Sequence, residues 1–126
     1  MPASYEIDTQ KKLVVLTAWG ICDAEDVRQF RKHLSNDRNF DPSFSELADF
    51  TRVTNVKFTP DEVRMLAEVS PFSAHSRRAL VAEDQLIFGL SKMFSILRSL
   101  RGDDDLRVFR SRREAMAWLM EKDKAA

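Results

Sequence analysis

The sequence predicts an α/β domain, a mainly parallel sheet covered by helices in the order β-β-α-β-α-β-α-β-α. Three observations carry this expectation. Short apolar or alternating runs are separated by longer segments with helical spacing of apolar residues. Helix-start signals recur at Asp23, Thr59 and Ser111. The 126 residues are one domain's length and contain no repeat, linker or low-complexity segment.

Tyr5 and Ile7 alternate with polar neighbours, as in a half-exposed strand. Residues 9–12 read as a hairpin turn, so this first strand belongs antiparallel at a sheet edge. The run Leu13 to Trp19 is apolar enough to lie inside a sheet covered on both faces, with Gly20 ending it. Asp23 opens a helix whose stripe is Val27, Phe30 and Leu34, with Arg28, Arg31 and Lys32 outside it. After the turn-rich segment SNDRNFDPSF comes a short strand, ELADF, closed by a polar loop. A second helix is expected from Pro60 to about Val69, stopped by Ser70 and Pro71. RRALVAE reads as a buried strand, Gln85 to Leu100 as a long helix, LRVF as the last strand, and Ser111 starts the final helix. On the long helix, Leu86, Leu90, Met93, Phe94, Leu97 and Leu100 are expected to face the core, with Ser91, Lys92, Ser95 and Ser99 opposite.

Composition excludes several classes. Basic and acidic residues balance at 20 each, so no strong field recruits nucleic acid or an anionic membrane. No apolar stretch approaches the ~20 residues of a membrane span, and the first twelve residues carry no signal-peptide core. One cysteine, Cys22, allows no intramolecular disulfide and fits a cytoplasmic protein. Its acidic neighbours Asp23 and Glu25 predict an inert thiol. His33 and His75 have no partner at metal-ligand spacing, and no nucleotide loop or nucleophile elbow occurs. A Ser73/His75/Ser76 nucleophile and base is disfavoured, because adjacent residues rarely point at one another. Asp103, Asp104 and Asp105 lack the alternating spacing of a calcium loop and read as solvated charges at a helix end. No enzyme, metal or cofactor is expected.

Thr59 poses a choice between a helix cap and a phosphorylation switch. With Pro60 at the first helical position and Glu62 at the third, it forms a capping box. A phosphate there would meet the helix amides, but Asp61 and Glu62 would repel it. The cap is the preferred reading.

The strand order and the segment Asp49-Phe50-Thr51-Arg52-Val53-Thr54 resemble the STAS fold of bacterial anti-sigma-factor antagonists. That family has a phosphorylated serine at the start of the second helix. Here Phe58 falls at that place, Lys57 replaces the preceding aspartate, and Thr59 carries a hydroxyl one position late. DFTRVT, RRALVAE, FGLSKMF and VFRSRREAMAWL are similar to a group of small, uncharacterised bacterial STAS-like proteins, sometimes compared with CRAL-TRIO lipid-transfer domains. The resemblance implies a protein-interaction module, with the partner surface at the loop and second helix: Phe58, Thr59, Met65, Val69 and Phe72. Met65, Val69 and Phe72 form a second apolar stripe beside Val63, Leu66 and Ala67, and one sheet contact needs only one stripe. A neighbouring helix or loop, a homodimer, a regulatory protein or an apolar small molecule would each cover it. Arg77 and Arg78 could flank such a patch, although solvated strand-end charges are preferred. The alternative function is a carrier or sensor of a lipid-like molecule between the sheet and the long helix, lined by Phe88, Met93 and Phe94.

Overall fold

A computed structural model describes residues 3–124, with side chains through Glu121. Its elements are β1 (Ala3–Asp8), β2 (Leu13–Asp23), α1 (Ala24–Ser35), β3 (Ser45–Lys57), α2 (Pro60–Leu66), β4 (Arg78–Val81), α3 (Gln85–Leu100), β5 (Leu106–Phe109) and α4 (Arg112–Lys124). This is the order expected from the sequence.

The strands form one sheet in the order β1-β2-β3-β4-β5. The β1–β2 hairpin is antiparallel, running from Ala3 opposite Ala18 to Asp8 opposite Leu13, and the other pairs are parallel. Its turn is held by Asp8, whose carboxylate accepts the Gln10 and Lys11 amides at 3.0 and 2.9 Å. Each later crossover steps the same way along the sheet, so the usual right-handed connection places α1, α2 and α3 on one face. The last helix, α4, follows the edge strand and covers the other face.

Two expectations about strand ends need correction. Gly20 does not terminate β2. It takes φ +67° at a bulge, and pairing resumes at Ile21–Asn55 and continues to Asp23–Lys57. The polar segment after Asp49 is likewise strand, because β3 follows β2 through this extension to Lys57. Its polar residues are tolerated because Arg52, Thr54, Asn55 and Lys57 are exposed.

On the back face, Leu13, Leu47, Ala79 and Val81 of the sheet pack against Ala115, Trp118 and Leu119 of α4. On the front face, Val14, Leu16, Ala48 and Leu80 meet Phe30 and Leu34 of α1 and Phe72 of the loop after α2. Each Val, Leu or Phe side chain so withdrawn from water contributes about 1.5–3 kcal/mol before chain entropy is counted, and each alanine methyl less. Helix starts follow the capping chemistry. Asp23 and Asp26 form a full capping box, as do Thr59 and Glu62, while at Ser111 the hydroxyl accepts the Glu114 amide at 3.3 Å. Asp84 caps α3 by accepting the Leu86 and Ile87 amides.

The long helix is rotated from its expected setting. Ile87, Ser91 and Arg98 are its buried residues, whereas Leu86 and Leu100 are exposed. The stripe that looks most apolar therefore faces outward at both ends. The cause lies at Arg98, which is drawn inward by a buried carboxylate described below.

Candidate functional site: a front-face cavity beside a buried ionic cluster

Three helices cannot close over the front of the sheet as tightly as one helix closes over the back. A cavity of about 120 Å3 remains between the sheet and α1, α2 and α3. Its wall is overwhelmingly apolar: Leu16, Ala18 and Ala48 from the sheet, Phe30 from α1, Val63 and Leu66 from α2, and Ile87, Leu90 and Phe94 from α3. A void of this order with an apolar lining is large enough for a benzene-sized guest. A drug-sized site is several hundred Å3, so a longer ligand requires the helices to part.

One end of the cavity carries charge. Glu46 and Arg78, both wall residues, are buried and joined at 3.1 Å. Arg78 also reaches Asp103 at 3.4 Å and the Ser70 hydroxyl at 3.2 Å. Asp103 in turn takes a two-pronged contact from Arg98, at 2.9 Å from Nε and 2.8 Å from Nη2. The expectation that Arg78 and Asp103 are solvated charges is thus overturned: both are buried, and they hold the end of α3 against β4. Their neighbours behave more as expected. Asp104 meets His75 in an exposed contact at 2.7 Å, and Asp105 pairs with Arg77.

Arg31 is the surprise in this cluster. It was expected on the polar flank of α1, yet it lines the cavity. Spacing could have revealed it, since residues 27, 31 and 34 follow i, i+4, i+7 on one helical face. Its Nη1 donates to the carbonyls of Leu66 and Val69, at 2.7 and 3.2 Å, just where α2 ends. Burial pushes the Arg31 guanidinium down to about 10, and the neighbouring Arg78 charge acts in the same direction. Both guanidiniums lie against the Phe94 ring, at 5.8 and 5.9 Å from its centre.

The residues expected at a site separate into two groups. Phe58 and Phe72 line the cavity together with Phe94. Phe72 is buried, packed edge-on against Phe40 and beneath Arg78, so it belongs to the wall and not to an outer surface. Thr59, Met65 and Val69 face outward. Phe88 is not a wall residue: Arg110 stacks on it 3.9 Å from the ring centre, and it packs beside Ala82 and Ile87. Met93 is half-buried on α3 and also lies off the wall.

Other candidates have local structural partners. Burial pushes the Cys22 thiol up to about 11, helped by Asp26 and Asp23. Ser73 and Ser76 bond each other and Ser76 bonds the Pro42 carbonyl, while His75 is engaged with Asp104. Burial acts to raise the Asp49 carboxyl, but the Thr51 amide and hydroxyl and Arg112 outweigh it and hold it below the ordinary range. Asp49 therefore anchors β3 to α4. Among the described residues, no group of three or more His, Cys, Asp or Glu is placed to hold a metal ion, and no helix is long and apolar enough to cross a membrane.

Comparison with known proteins bears on the fold alone. The chain matches a solved structure of an uncharacterised protein of the DUF3478 family, with a SpoIIAA-like fold, from Shewanella loihica PV-4. The likeness covers 93% of each chain at a TM-score of 0.55 and 17% identity. The architecture is thus SpoIIAA-like, the STAS type expected from the sequence. No family model and no curated protein matches the chain.

Proposed function

We propose that the chain is a non-enzymatic STAS-like interaction module that docks a regulatory protein through the outer surfaces of α2 and α3. The observation that carries this reading is an apolar surface with no cover among the described residues. Met65 is 56% and Val69 71% exposed, and on α3 Leu86, Ile96 and Leu100 are 59%, 59% and 78% exposed. The two helices pack against each other, so these residues lie on neighbouring elements. Along α3, Leu86, Leu90, Met93, Leu97 and Leu100 recur at intervals of four and three, the spacing of a seam that accepts another helix. Met65→Glu with Val69→Glu tests it, because both positions point away from the core. The wild type should capture a specific protein partner on affinity purification from its source, and the double variant should keep its urea midpoint and lose that partner. Retention of that protein at the wild-type level contradicts the docking surface.

A second reading is favoured by the cavity: the chain holds a small apolar molecule beneath the same helices. The wall composition supports it, as does the position of Val63, Leu66 and Leu90, which belong to the helices that display the outer surface. Occupancy would then alter the packing of α2 and α3, coupling ligand to partner.

A further inference from the structure

We propose that the cavity takes an amphipathic monocarboxylate, its chain among the apolar wall residues and its carboxylate on Arg31. The inference rests on the second reading above and adds the chemistry of the head group.

The argument is one of charge pairing. The cluster contains two buried guanidiniums, Arg78 and Arg98, two buried carboxylates, Glu46 and Asp103, and beside them the half-buried guanidinium of Arg31. Arg78 and Arg98 account for both acids through the contacts at 2.8–3.4 Å. Among the described residues, no carboxylate lies within ion-pair distance of Arg31. The remaining acid on the wall, Asp26, precedes it by five residues, about 7.5 Å of helix rise. That carboxylate is already committed, accepting the Asp23 amide at 2.9 Å as part of the α1 cap.

Arg31 has a structural task at the end of α2, but that task uses only Nη1. Nε and Nη2 make no hydrogen bond to the described protein atoms, and together they form the edge of the guanidinium that fits the two oxygens of a carboxylate. Arg31 is half-buried and feels Glu46 only at long range, beyond ion-pair distance, so an anion seated directly on its free edge would add a contact the chain does not supply. The apolar wall selects for a hydrocarbon chain on that anion. Burial and the neighbouring Arg78 weaken the charged form of Arg31 while Glu46 acts the other way, and a carboxylate on the free edge would strengthen the charged form further.

The test is calorimetric titration of the intact chain with octanoate and with 1-octanol, which share a chain and differ in the head group. Octanoate should bind at least tenfold more tightly than 1-octanol, and Arg31→Gln should remove that preference. Equal or tighter binding of 1-octanol to the wild type overturns the head-group assignment while leaving the apolar cavity in place. Binding of neither probe overturns the cavity reading together with the assignment. The wild-type comparison stands without the variant, so loosening of α2 in Arg31→Gln does not obscure the result. Persistence of a tenfold preference in a folded Arg31→Gln also overturns the assignment.

Discussion

The two faces of the sheet use different means to stay closed. On the back, α4 alone seals Leu13, Leu47, Ala79 and Val81 with Ala115, Trp118 and Leu119, and Arg112 at its start pairs with the buried Asp49 at 2.9 Å. Arg77 and Arg107 stack on Trp118 at 4.6 and 4.9 Å from its ring centre, and Arg77 also donates to Asp105 and the Trp118 carbonyl. On the front, three helices surround a cavity and bury four paired charges, with Arg31 half-buried beside them. Buried ion pairs rarely stabilise more than apolar packing of the same volume would. The front face therefore closes in good part through paired charge, whereas the back face closes mainly through apolar packing.

Shape-conserving substitutions separate the two designs most strongly. Asp103→Asn keeps the side-chain outline but leaves Arg98 without its counter-charge, so a loss of about 3–5 kcal/mol is expected in urea unfolding. Leu119→Met, on the back, conserves volume and polarity and should cost under about 1.5 kcal/mol. A larger loss for Leu119→Met than for Asp103→Asn would reverse the comparison.

Added volume sharpens the contrast. Ala79 and Ala48 are both buried on central strands, but Ala79 abuts the α4 core and Ala48 borders the cavity. Ala79→Val should cost about 1–3 kcal/mol through overpacking. Ala48→Val has space to enter and should be close to neutral while weakening octanoate binding. Equal destabilisation by the two, read from their urea midpoints, would mean that the front is as tightly packed as the back.

The smallest effect is expected at Thr59. Its hydroxyl accepts the Glu62 amide at 3.1 Å, so Thr59→Ala should cost about 1 kcal/mol, and Thr59→Ser much less. A shift of several kcal/mol would place Thr59 in the core of the front layer instead of at its rim.

Legibility in the sequence followed the same division. The back face and the order of elements follow from periodicity and caps, because an apolar residue at a regular interval has one sensible place to go. Asp23, Thr59 and Ser111 announce their helices by local chemistry that tertiary contacts do not override. The front face escapes this logic where charge is buried. Arg31, Arg78 and Asp103 read as surface residues one at a time and Arg98 carries no signal of its own, and it is mutual proximity that makes burial of Arg78, Arg98 and Asp103 tolerable. Arg98 then turns α3, which carries Ser91 inward and Leu86 and Leu100 outward against their own hydropathy. The polar second half of β3 was hidden for a related reason. Its pairing with β2 is a backbone matter, and its exposed side chains carry no strand pattern.

The most direct test of the contrast between the faces is methyl NMR of the intact protein under xenon pressure, since xenon enters dry apolar cavities without regard to head group. The account predicts shifts at Val63, Leu66, Ile87 and Leu90, with the methyls of Leu13, Leu47 and Leu119 unmoved. Silence at the front, or equal movement on both faces, would contradict it.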